Sequence, residues 1–271
     1  MIDPSIVPIS PVHWVGARRI IRSLYPPVDL FEDIADPEDW PLLIAAEQKT
    51  NPRLMETIGA LDLVPPERRV SGPGASYLMA PFTHVSPDRP SRFSVGRYGV
   101  FYAARAYETA VFETIHHHGR FMAQTSQPPG WTSQFRELVL DIGASLHDLR
   151  GGIAAFAPAL DRDDYTMAQQ LAAALRDGGS DGVVYPSLRD PDGVCVGLFY
   201  PDLATPPVQG RHLDYHWDGV RVDLVRDAGT GEVFRVREVR GAKVWARRCS
   251  IGVTTRRRPR KTAIFLSYDA E

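Results

Sequence analysis

Apolar residues along this chain come in short runs, and the period of those runs changes from one stretch to the next. The most informative stretch is YGVFYAARAYETAVFETIHHHG, Tyr98 to Gly119. It opens with Tyr98, Val100, Phe101, Tyr102 and Ala103 between glycines, which suits a buried strand. From Ala106 to His117 the apolar positions Tyr107, Val111 and Ile115 recur at i, i+4 and i+8, which predicts a helix with one apolar face. Further strands are predicted at Phe135–Ile142, Gly182–Pro186 and Val194–Tyr200, and in the alternating stretches 212–226 and 232–239. Ala228-Gly229-Thr230-Gly231 reads as the hairpin turn between the last two. Asp164–Leu175 reads as a helix with a stripe at Met167, Leu171 and Leu175. Ser76–Phe82 reads as a strand after the turn Ser71–Ala75, and His84–Pro90 and Phe121–Thr132 read as loops.

Residues 1–65 have a different character and read as a helical accessory region. Val15–Tyr25 predicts a helix ended by Pro26-Pro27. Asp36-Pro37-Glu38-Asp39 is a helix-start signal for a helix through Trp40 to Glu47. Asn51-Pro52 starts another, Arg53–Leu61, and Pro65-Pro66 closes the region. Residues 66–240 then form a mixed domain whose strands are often joined by turns alone. That favours an α+β fold with a mostly antiparallel core and flanking helices. Residues 241–271 lose periodicity and carry Arg256-Arg257-Arg258-Pro259-Arg260-Lys261, a basic, partly ordered tail.

Composition narrows the picture in three ways. A chain of 271 residues can bury a core without disulfides. The two cysteines, Cys195 and Cys249, lie in no metal-like spacing, and with an N-terminus that lacks a signal peptide they point to a reducing cytoplasm. No apolar run is long enough to span a membrane. The net charge of -2 excludes an overall pull toward nucleic acid, leaving only the basic tail for such a contact.

Familiar phosphate loops and G-x-S-x-G elbows are missing. His116-His117-His118 suggests a metal, but consecutive helical residues point about 100° apart and cannot converge on one ion. Arginine at Arg69, an aromatic at Tyr102, a carboxylate at Glu113 and a hydroxyl at Ser187 all lie at predicted element ends. Together they could hold a dinucleotide: arginine on the pyrophosphate, tyrosine on the nicotinamide, glutamate beside the ribose. Surface arginines and strand tyrosines are common, and by pattern alone Glu113 reads first as a solvated helix residue.

The blocks RRVSGPGASYLMAPFTH, SRFS, YGVFYAARAYETAVFETIHHHGRF and SDGVVYPSLRDPDG, in this order between Glu67 and Asp202, closely resemble the RES-domain family. These are the toxins of Xre–RES toxin–antitoxin modules, with a core similar to that of ADP-ribosyltransferases. The resemblance implies NAD as substrate, either degraded by hydrolysis or phosphorolysis or used to transfer ADP-ribose, without a metal. It implies an Xre-family antitoxin as partner, nucleic acid only through that antitoxin, and a possible homodimer. Carried over by position, the catalytic set is Glu113, Arg69 and Ser187, with Arg68 the neighbour that competes with Arg69 and Thr166 the alternative to Ser187. Tyr102, Thr166, Arg92 and Ser94 join Arg69 as nucleotide-binding candidates. Where many relatives have GGRWN this chain has SRFSVGRYG, which leaves open which of Arg92, Ser94 and Arg97 meets the nucleotide. The competing expectations are transfer of ADP-ribose to a protein, and a non-catalytic nucleotide- or partner-binding module.

Overall fold

The computed structural model describes residues 2–24, 59–152, 154–239 and 242–247. Among them are nine strands: β1 (Ile9–Arg22), β2 (Phe101–Ala104), β3 (Thr132–Asp148), β4 (Gly182–Pro186), β5 (Val194–Leu198), β6 (Val208–Trp217), β7 (Val222–Asp227), β8 (Val233–Val239) and β9 (Ala242–Arg247). Three helices accompany them: α1 (Ala75–Thr83), α2 (Tyr107–Met122) and α3 (Thr166–Asp177). The fold is α+β with a mostly antiparallel sheet, in the order β1-β2-β5-β4-β3-β6-β7-β8-β9. Only the β3–β4 pairing is parallel.

β1 also pairs with β3, from Ile9 opposite His147 to Arg22 opposite Phe135. That second pairing closes β1, β2, β5, β4 and β3 into a ring, which strands as long as β1 and β3 can do because each reaches two neighbours at different points along its length. Both faces of the ring are buried, and strand alternation sorts the residues between them. Ala104 of β2, Val183 and Tyr185 of β4 and Cys195 of β5 pack with Ala110, Val111 and Ile115 of α2 and Leu171 and Leu175 of α3. Phe101, Val184, Val196 and Leu198 face the other way, toward Leu78, Met79 and Phe82 of α1.

Residues 9–22 are strand, not helix, so the N-terminal region is not helical there. Trp14, Ala17 and Ile20 are buried at intervals of three residues, and this spacing imitates a helix. The Trp14–Ala17 step comes from a slip in the β1–β3 register at Gly16, with φ +71°, and the Ala17–Ile20 step from burial on opposite faces of the strand. The Gly16 N–H donates to Asp141 Oδ1 at 2.8 Å, which fixes the bulge. Ser76–Phe82 is likewise corrected from strand to helix, since Ala75, Leu78, Met79 and Phe82 are buried at i, i+3, i+4 and i+7. The helices expected over Trp40–Glu47 and most of Arg53–Leu61 lie outside the described residues, as do Cys249 and the Arg256–Lys261 run.

Elsewhere the elements fall close to their expected places. α2 continues past His117 to Met122, adding buried His118 and Met122 to its apolar face. The stretch 212–226 divides at a turn, where the Asp218 carboxylate accepts from the N–H groups of Val220 and Arg221, both at 2.8 Å. Among the described residues no helix is long and apolar enough to cross a membrane.

Candidate active site

A cleft of about 960 Å³ opens between β1, β2, α2, the segment Asp88–Arg92 and the start of α3. Glu113 projects into it from the second turn of α2. The Ser187 hydroxyl, at the end of β4, donates to Glu113 Oε1 at 2.6 Å. Ser187 is itself buried and accepts from the backbone N–H groups of Arg189 at 3.2 Å and Asp190 at 3.1 Å. Its lone pairs are taken by the backbone, so its proton is left for the glutamate. Among the described residues this is the single hydrogen bond Glu113 receives, and the rest of its acceptor capacity faces the cleft.

Tyr102 lines the same cleft. Its hydroxyl donates to Ser91 Oγ and accepts from the Phe93 N–H, each at 2.9 Å. Burial pushes the phenol up to about 12, so it stays neutral. Its ring stacks beside Phe93, against which Tyr185 packs edge-on. Cys195 also borders the cleft, but burial raises its thiol well above the ordinary range, which holds it protonated and a poor nucleophile.

The cleft is rich in arginine: Arg18, Arg19, Arg89, Arg92 and Arg120 line it, against the acids Asp88, Glu113 and Asp163. Arg92 lies over the Tyr165 ring at 4.3 Å and donates to the Asp161 carbonyl at 2.7 Å. Arg19 donates to the Tyr102 carbonyl at 2.8 Å and stacks over Phe101, while its Nε is buried without a partner among the described residues. Burial pushes its guanidinium down to about 10, still charged at neutral pH. Arg18 pairs with Glu137 at 3.0 Å and leaves its Nη1 without a partner among the described residues. Arg18, half-buried, and Arg19 both border the cleft, and guanidinium groups there suit an anion such as a diphosphate.

The candidate residues therefore divide. Glu113, Tyr102, Arg92 and Thr166 line the cleft, and Ser187 supports Glu113 from behind. Thr166 is exposed at the start of α3, with its N–H on Asp164 Oδ1 at 2.9 Å. Arg69 is not brought to the cleft. Its Nε donates to the Val64 carbonyl at 2.9 Å and its Nη2 to that of Leu61 at 3.3 Å, so it holds the 3-10 turns before α1. Arg68 is tied to Asp181 and Asp202 and lies over Tyr200. Ser94 is buried, donating to the Tyr98 carbonyl at 2.7 Å, and Arg97 is exposed outside the cleft. Arg18 and Arg19 border the cleft, and Arg69 does not. The signal for them was two adjacent arginines inside an otherwise apolar run, hidden by the helical reading of β1. Of the three histidines, His118 is buried against Phe135 and Tyr215 and the rings of His116 and His117 meet edge-on. No group of three or more metal-binding side chains occurs among the described residues.

Three comparisons bear on ancestry. The RES domain family profile matches residues 66–218, more than half of the chain. An uncharacterised protein of Sinorhizobium fredii, y4oC, is 26% identical over 212 residues, covering 76% of this chain and 85% of its own length. The M. tuberculosis MbcT–MbcA toxin–antitoxin complex aligns at 11% identity and a TM-score of 0.38, over 76% of this chain and 87% of the solved one, a likeness too loose to define the fold. With the profile match spanning the Glu113 helix, Ser187 and the cleft lining other than that on β1, the chain belongs to the RES domain family.

Proposed function

We propose that this protein cleaves the nicotinamide–ribose bond of NAD in the cleft, and that it is a toxin neutralised by an Xre-type antitoxin. One observation carries the chemistry: a carboxylate with a single oriented hydrogen bond, Glu113 on Ser187, at the wall of an arginine-lined, aromatic-flanked cleft. Membership of the RES domain family supports the toxin reading.

In this reading the diphosphate lies against Arg18 and Arg19, with Arg92 at the opposite wall. The nicotinamide ring packs against the Tyr102 side of the cleft. The C–N bond to ribose C1 breaks heterolytically, and its electron pair leaves with nicotinamide, which departs neutral because it began as a cation. Positive charge then develops on the ribosyl C1–O unit. Glu113 is placed to stabilise that charge and to orient the acceptor that closes the new bond at C1. The acceptor is water or phosphate, whose proton passes to solvent. The Ser187 bond holds the carboxylate in one rotamer, so little reorganisation accompanies bond breaking.

The test is mass spectrometry of NAD incubated with the purified protein, with and without phosphate. Nicotinamide plus ADP-ribose indicates hydrolysis, and a phosphate-dependent ADP-ribose phosphate indicates phosphorolysis. NAD left intact in both buffers contradicts cleavage to a small acceptor.

A further inference from the structure

The loop that carries Ser187 is fastened to α2 at a second point, which the NAD reading does not use. Ser187 and Asp190 both belong to the connection between β4 and β5. The Thr109 hydroxyl donates to Asp190 Oδ2 at 2.6 Å. Thr109 and Glu113 are four residues apart on α2 and so share one face of the helix. The loop thus grips the helix twice, one turn apart: Asp190 at Thr109 and Ser187 at Glu113.

Three further features make the first grip specific. Thr109 is fully buried, so its hydroxyl has no water to turn to. The loop is closed on itself by Ser187 N–H to the Gly193 carbonyl at 2.8 Å and Gly193 N–H to the Asp190 carbonyl at 3.0 Å. Gly193 lies so close that a Cβ there would come within 2.6 Å of Thr109 Cγ2 and 2.9 Å of Asp190 Oδ2. In addition, α2 starts at Ala106 without a side-chain cap, and the Asp190 carboxylate brings negative charge to its first turn.

We propose that Asp190 and Thr109 are positioning residues for the reaction: their bond sets the loop so that the Ser187 hydroxyl is aimed at Glu113. The inference rests on the NAD reading for its catalytic consequence but not for its geometry. The Asp190 N–H is one of the two donors that occupy the Ser187 oxygen. When the carboxylate lets go of Thr109, that N–H moves with the loop, Ser187 is no longer held with its proton toward Glu113, and the carboxylate loses its fixed orientation.

The experiment compares Asp190→Ala, Thr109→Val and the conservative Thr109→Ser in the full chain, each melted alongside wild type to establish folding. Nicotinamide release should show kcat reduced about tenfold in the first two, with KM unchanged and Thr109→Ser close to wild type. Asp190→Ala placed on Ser187→Ala should cost nothing further, because the latch acts through Ser187. Wild-type kcat in both variants, a loss that appears in KM, or losses that add to that of Ser187→Ala would each overturn the proposal. A readout independent of turnover separates it from the NAD reading. The Ser187 hydroxyl proton should be a protected NMR signal in wild type and Thr109→Ser and be lost in Asp190→Ala and Thr109→Val. If wild type leaves NAD intact, the NAD reading fails, and retention of that signal in all variants would refute the latch separately.

Discussion

Two glutamates lie near Arg18 and Arg19 of β1, one within the fold and one in the cleft, and they are treated in opposite ways. Glu137, on β3, is 4% exposed and paired on both of its oxygens. It pairs with Arg18 at 3.0 Å and Arg211 at 3.8 Å and accepts the Arg211 N–H at 3.1 Å. Gly210 leaves room for it, since a Cβ there would meet Glu137 Oε2 at 2.6 Å. Glu113, on α2, is half-buried and receives one hydrogen bond from the described residues, at 2.6 Å. A buried carboxylate with a partner on each oxygen holds a structure together. A carboxylate aimed by one bond and otherwise open to a cleft can meet a charge that appears during a reaction. The surroundings of each side chain, and not its residue type, separate the two roles.

The sharpest way to break this contrast is to neutralise each carboxylate in turn. Glu113→Gln should reduce NAD turnover on the order of a thousandfold or more while the melting temperature stays near wild type. A variant that melts early, with activity lost only in proportion to unfolding, would make Glu113 a structural residue like its counterpart. Glu137→Gln should do the reverse, destabilising the protein by about 3 kcal/mol because Arg18 and Arg211 lose their buried partner. Chemical denaturation measures this, and a loss below about 1 kcal/mol would show that Glu137 does not hold the structure together.

His118 offers a smaller effect with a defined pH window. Burial, with help from Arg22, lowers its folded pKa to about 4 from an ordinary value near 6.5. The unfolded chain therefore binds the proton more readily, and stability is fully present above about 6.5 and declines as pH falls toward 4. The loss should be on the order of 2–3 kcal/mol over that window. His118→Phe should flatten this part of the stability profile, and an unchanged slope would remove His118 as its source. Smallest of all, Arg19→Ala should raise the KM for NAD about tenfold with kcat little changed, the loss of one charge-assisted contact. An unchanged KM would transfer the diphosphate to Arg89, Arg92 or Arg120.

Legibility in the sequence followed the range of the interaction. Glu113, Tyr102 and Ser187 were readable because each sits in a short element whose period is set locally, and because the blocks around them resemble the RES family. β4 was found at Gly182–Pro186 for the same reason. Arg18 and Arg19 were not readable. Their strand exists because it pairs with β3, more than a hundred residues away, and the bulge at Gly16, with burial on both faces beyond it, hides the alternation. Arg69 stands before a glycine turn in a block that resembles the RES family, and nothing local shows that its guanidinium is engaged by the carbonyls of Leu61 and Val64. The Thr109–Asp190 bond spans 81 residues and left no trace in spacing.

The measurement that tests the central claim most directly is nicotinamide released from NAD by wild type and Glu113→Gln side by side, with NAD binding to each followed by calorimetry. The account predicts rapid release by wild type, near-zero release by the variant, and similar affinity in both. Release by Glu113→Gln at the wild-type rate would contradict it.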